Sequence, residues 1–163
     1  MTNADLRSDY SDVPQGLPQS AAALAYAGAL PLIVATLLIM LRPTEFGASA
    51  ITFMLGYGSA LIIFFGGVRW GITVVRKSGP SFSGLLGAII PLAIGLVSFH
   101  IEDWRLRFII IIITLPVLLW DDMRATRRGS GAPDWYLGVR APLTALMLAS
   151  FITAFVAAIR GLA

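Results

Sequence analysis

Five apolar stretches joined by short polar segments constrain this chain more than any other feature. They cover about residues 20–41, 48–75, 82–101, 106–120 and 139–159. Four of them reach the roughly 20 residues that a helix rising 1.5 Å per residue needs to cross a ~30 Å hydrocarbon layer. The fourth is short, but its "LRFIIIIITLPVLLW" is nearly solid isoleucine and leucine. The "HIEDWRLR" before it is too charged to rest at a bilayer centre. Two crossings joined by a tight turn therefore fit residues 82–120 better than one long helix. The chain is 57% hydrophobic and 13% charged over 163 residues, against roughly 45–50% and 25% in a soluble domain. A soluble globule could not hide that excess without a large apolar patch, whereas lipid-facing helices need it on their outside. The expected fold is an all-α integral membrane protein, a five-helix transmembrane bundle forming a single transmembrane domain over residues 20–160.

The joints and ends refine this picture. Residues 1–19, "MTNADLRSDYSDVPQGLPQ", are polar and acidic and read as a disordered tail. They lack the basic n-region of a signal peptide, so the first helix is expected to stay uncleaved. The second stretch is 28 residues long, about 42 Å of helix, which calls for tilt or an interfacial extension. Pro31, Pro91 and Pro116 fall inside three helices, where each removes a backbone donor and is expected to kink its helix. Pro142 is expected in the first turn of the fifth helix, where a missing N–H is tolerated.

Orientation follows from the basic residues. With five crossings, Arg7, Arg76, Lys77, Arg124, Arg127, Arg128 and Arg140 lie on one side, seven in all, and Arg42, Arg105, Arg107 and Arg160 on the other, four in all. The positive-inside rule then places the amino terminus in the cytoplasm and the carboxyl terminus outside. A bacterial inner membrane is the expected location. The net charge of +3 belongs to this loop pattern and calls for no nucleic-acid partner.

One arginine stands apart. Within "YGSALIIFFGGVRWG", residues 57–71, Arg69 lies seven residues before Arg76, roughly 10 Å deeper along the helix. Two placements are open. Its guanidinium can snorkel to the headgroups beside Trp70, or it can face the bundle and be neutralised at its own depth. For the second, the topology brings Asp121 and Asp122 to the same side, together with Asp134, Trp135, Tyr136 and Arg140 from "PDWYLGVRAPLT". A carboxylate and a guanidinium there can pair and set helix register without adding net stability.

Gly56, Ala60, Ile63, Gly67 and Gly71 recur at three- and four-residue spacing. With Gly66, they are expected to form a packing seam where a neighbouring backbone comes close. "GGVRWG" lacks the preceding strand and the lysine-serine end of a phosphate loop. No cofactor is expected, and no reaction. The chain has one histidine, His100, and no cysteine, and a metal site needs three or four ligands held together. A scaffold, assembly factor or accessory subunit binding lipid bilayer, other membrane proteins or itself is the reading that fits best. The rival is a small transporter or oligomeric channel using the Arg/Asp pair.

Three spaced motifs resemble a known family. They are Tyr26, Gly28 and Pro31 in "YAGALP"; Tyr57, Gly58, Phe64, Gly66, Gly67, Trp70 and Gly71; and Pro133, Trp135, Tyr136, Arg140, Leu143 and Thr144. Together they resemble the transmembrane protein 69 family, a domain of unknown function from bacterial membranes and mitochondria. Many of its members carry a histidine where Arg69 stands here, so the resemblance implies no permanent charge at that position. It implies a small multi-helix inner-membrane protein and no established reaction.

Overall fold

A computed structural model describes residues 18–75, 79–129 and 132–161. The described residues form six helices: α1 (Gln19–Ala27), α2 (Leu30–Leu41), α3 (Pro43–Val74), α4 (Phe82–Phe99), α5 (Trp104–Arg127) and α6 (Tyr136–Gly161). Residues 1–17 of the expected tail, and Arg76 and Lys77, lie outside the described residues.

Four segments are long and apolar enough to cross a membrane: Gln19–Leu41, which joins α1 and α2, then α3, α4 and α6. The remaining helix, α5, spans 24 residues, about 36 Å. Its uninterrupted apolar run is only residues 108–120, because Arg105 and Arg107 lie before it and Asp121, Asp122, Arg124 and Arg127 after it. It packs along α3 and α6, burying Phe108, Ile111, Leu115 and Leu118.

Several boundaries differ from those expected, each for a local reason. The first stretch is broken: the proline ring of Pro31 cannot donate to the carbonyl of Ala27, and α1 ends at Gly28. The Gly28 carbonyl accepts instead from the Tyr57 hydroxyl at 2.7 Å, so α3 satisfies the group that the break releases. Pro31 thus opens a helix rather than kinking one. The second helix starts at Pro43 rather than residue 48 and reaches 32 residues. Asp103 caps α5 by accepting from the backbone N–H of Arg105 at 2.8 Å and of Leu106 at 3.4 Å, which starts that helix at Trp104 rather than 106. At its other end, charged residues 121–127 continue the helix past the apolar run, to Arg127. The last helix begins at Tyr136 rather than 139, which puts Pro142 inside it and not in its first turn.

The packing seams show why these helices associate in lipid, where close contact replaces the hydrophobic drive. Along α3 and α4 the paired residues step by seven in opposite directions: Ser59 with Ser98, Gly66 with Pro91, and Thr73 with Gly84. Seven-residue steps are the repeat of a left-handed antiparallel helix pair. Ser59 donates to Ser98 at 3.0 Å, and a Cβ on Gly66 would come 2.7 Å from the Ala88 carbonyl. Where α3, α5 and α6 meet, Gly58 leaves room for Phe151 and Ile111; a Cβ there would lie 2.6 Å from the Phe151 ring. Phe108, fully buried, stacks edge-on against Phe151 and Trp104 at centroid distances of 6.1 and 6.0 Å.

The expected seam through Gly56, Ala60, Gly67 and Gly71 is therefore corrected in part. Gly66 lies in tight contact, and a Cβ on Gly56 would reach Phe99 at 3.9 Å. Ala60, Gly67 and Gly71 are exposed, and nothing stands within 4 Å of where a Cβ on Gly67 or Gly71 would sit. The contact face of α3 is one residue out of phase with the small-residue stripe, because it is set by Ser59, Gly66 and Thr73.

Candidate functional site: a closed arginine-carboxylate cluster

The helix ends bring ionic side chains to one level. Arg69 lies five residues before the end of α3, Asp122 five before the end of α5, and Arg140 four after the start of α6. Gly87, whose added Cβ would sit 3.4 Å from the Arg69 guanidinium, lies five residues into α4. The cluster is thus roughly 6–8 Å inside the ends of four helices.

Asp122 is its centre. One carboxylate oxygen faces Arg69 Nε at 3.4 Å and the other faces Arg140 Nε at 3.2 Å. The second oxygen also accepts from the Tyr136 hydroxyl at 3.2 Å. Asp121 pairs with Arg69 Nη1, so two carboxylates balance two guanidiniums. Burial is uneven. The side chains of Asp122 and Arg140 are only 5% and 3% exposed and that of Arg69 13%, while Asp121 is 47% exposed. The Arg69 guanidinium therefore faces the bundle rather than snorkelling away from it.

Two further residues complete the cluster: Phe65, and Thr144, which the sequence placed in a family motif but not among the ionic groups. The Arg140 guanidinium lies 3.4 Å over the Phe65 ring, a cation–π contact that partly replaces lost hydration. Arg140 Nη1 also donates to the Thr144 hydroxyl at 3.0 Å, and that hydroxyl donates to the Arg140 carbonyl at 2.8 Å. Both were legible as helical neighbours: Phe65 stands four residues before Arg69 and Thr144 four after Arg140. Trp70 is exposed on the outer face of α3, and Trp135 lies in the turn before α6. Neither joins the ion pairs.

Beside the cluster is a cavity of about 80 Å³, lined in part by Arg69, Thr73, Gly84, Asp122, Thr126 and Tyr136. It has room for a few water molecules. His100, at the opposite end of α4, contacts the Leu96 carbonyl at 3.0 Å.

Apolar helices with one internal ionic cluster define the class: this is an all-α integral membrane protein. The chain belongs to the family described as "Protein of unknown function (DUF3429)", which it matches over residues 17–156. It is similar to transmembrane protein 69 of Xenopus tropicalis, with 25% identity over 138 residues, 83% of this chain and 53% of that protein. The chain thus spans about half the length of that curated relative. No solved structure matches it.

Proposed function

We infer that this protein works through helix–helix contact, as a scaffold, assembly factor or accessory subunit of a membrane complex, with no reaction of its own. The observation that carries this reading is the charge balance of the ionic cluster: Arg69 and Arg140 are already met by Asp121 and Asp122, and within the cluster only Arg140 Nη2 is buried without a hydrogen-bond partner among the described residues. A translocation path needs polar groups continuing through the bilayer. Past the cluster the described interior is Phe65, Ile62, Leu55, Phe108 and Phe151. Of the buried hydroxyls, Ser59 is bonded to Leu55 and Ser98, and Thr36 to Leu32 and Ser150. These features favour a packing role over carriage of a solute by one protomer.

A bacterial inner membrane with the amino terminus in the cytoplasm accords with the excess of arginine and lysine on the cluster's side. The reading is tested by crosslinking intact membranes and purifying the protein in mild detergent. A stoichiometric membrane partner or a defined homo-oligomer is expected. A lone protomer that carries ions or protons into liposomes would contradict it.

A further inference from the structure

The end of α5 sorts its charges by face. Asp121 and Asp122 point to Arg69 and Arg140 inside the bundle. Arg124, Arg127 and Arg128 project the other way, all exposed, and among the described residues none of the three is paired with a carboxylate. With Trp120 and Met123 they occupy positions i, i+3, i+4, i+7 and i+8, a single helical stripe. These five side chains line one cleft of about 270 Å³.

We propose that this cleft is a binding site for the headgroup of an anionic phospholipid, with its phosphates held by Arg124, Arg127 and Arg128. The stripe crosses the boundary that such a lipid crosses. Trp120, 67% exposed, ends the apolar run of α5, and indole rings settle where hydrocarbon meets headgroup. Arg124 lies four residues farther, roughly 6 Å, within a headgroup layer some 5–8 Å thick, and Arg127 and Arg128, at roughly 10–12 Å, lie just beyond it, where their long side chains can reach back to the phosphates. Guanidinium binds phosphate through paired N–H donors, and three on one face suit a headgroup with two phosphates better than one with a single charge. Part of this arrangement also serves α5 itself, since Arg124 and Arg127 lie in its last turn, where cations offset the helix dipole. That role needs neither the tryptophan nor three arginines on one stripe. A free inorganic anion would make no use of Trp120 and Met123.

The test is native mass spectrometry of the full chain in mild detergent, titrated separately with cardiolipin and phosphatidylcholine. The wild type is expected to hold one cardiolipin in preference to phosphatidylcholine. At about fivefold per arginine near a membrane surface, the Arg124→Gln, Arg127→Gln, Arg128→Gln variant loses on the order of a hundredfold in cardiolipin affinity. Replacing the same three by lysine should restore part of it, and Trp120→Ala should weaken retention with the arginines intact. Wild-type selectivity is read without any variant, so misfolding of the triple variant does not blunt the test. Equal retention of both lipids, undiminished cardiolipin binding in a folded triple variant, or displacement of cardiolipin by millimolar inorganic phosphate would each overturn the proposal.

Discussion

Asp122 holds the cluster together because its two oxygens face guanidiniums on two different helices, Arg69 on α3 and Arg140 on α6. Removing its charge leaves the Arg140 guanidinium, 3% exposed, without the one carboxylate that pairs with it among the described residues. Breaking a buried pair in this way costs about 3–5 kcal/mol. Asp122→Asn should therefore lower the midpoint of denaturant unfolding in detergent, followed by circular dichroism, far more than Asp121→Asn. Asp121 is half exposed and solvent screens its pair, so its loss should cost about 1 kcal/mol or less. Near-equal losses would show that the two carboxylates share the load. The sequence brought Arg69, Asp121, Asp122 and Arg140 to one side, because short loops fix which charged residues share a side; it did not single out Phe65 or Thr144 as their neighbours. It did not carry the ranking of Asp121 and Asp122. Adjacent helical residues differ by about 100° in direction, and only the packed bundle shows which of them points inward.

At the scale of the helix, glycine acts through which face it occupies. Gly58 lies beneath Phe151 and Ile111, so Gly58→Ala should destabilise the bundle by about 1–3 kcal/mol through overpacking. Gly67→Ala and Gly71→Ala meet open space and should leave stability unchanged or raise it by up to about 1 kcal/mol through helix propensity. The same unfolding titration separates them, and a large loss at Gly67 would mean that this face is covered. Tyr57→Phe should cost about 1 kcal/mol by stranding the Gly28 carbonyl at the break between α1 and α2. The order of the apolar segments was readable from hydropathy, but the helix count was not: the first segment breaks before Pro31 into α1 and α2, giving six helices among the described residues, and α5 is not among the four segments long and apolar enough to cross a membrane. Nor was the seam readable. Gly56, Gly67 and Gly71 have the right spacing, but spacing alone leaves the phase of the face undetermined; Ser59, Gly66 and Thr73 are set by what α4 presents, namely Ser98, Pro91 and Gly84. The early end of α1 follows from Pro31 and the early start of α5 from the Asp103 cap, while the continuation of α5 to Arg127 and the start of α6 at Tyr136 accompany the contacts among Asp122, Tyr136 and Arg140.

At the scale of the molecule, the proposed five crossings put the start of α3 level with the end of α6. Pro43 accordingly stands 3.5 Å from where a Cβ on Gly161 would sit. The arrangement depends on α5 crossing, although its apolar run is the shortest of the five. The chain contains no cysteine, so a single introduced thiol reports its own side of the membrane. Thr44→Cys, Glu102→Cys and Asp134→Cys place one in the first turn of α3, one before α5 and one after it. Labelling of intact cells with a membrane-impermeant maleimide should modify the thiols at positions 44 and 102, and reach that at 134 only after lysis. Modification of positions 102 and 134 from the same side would contradict the proposed five-span bundle with its ion pairs at the cytoplasmic end.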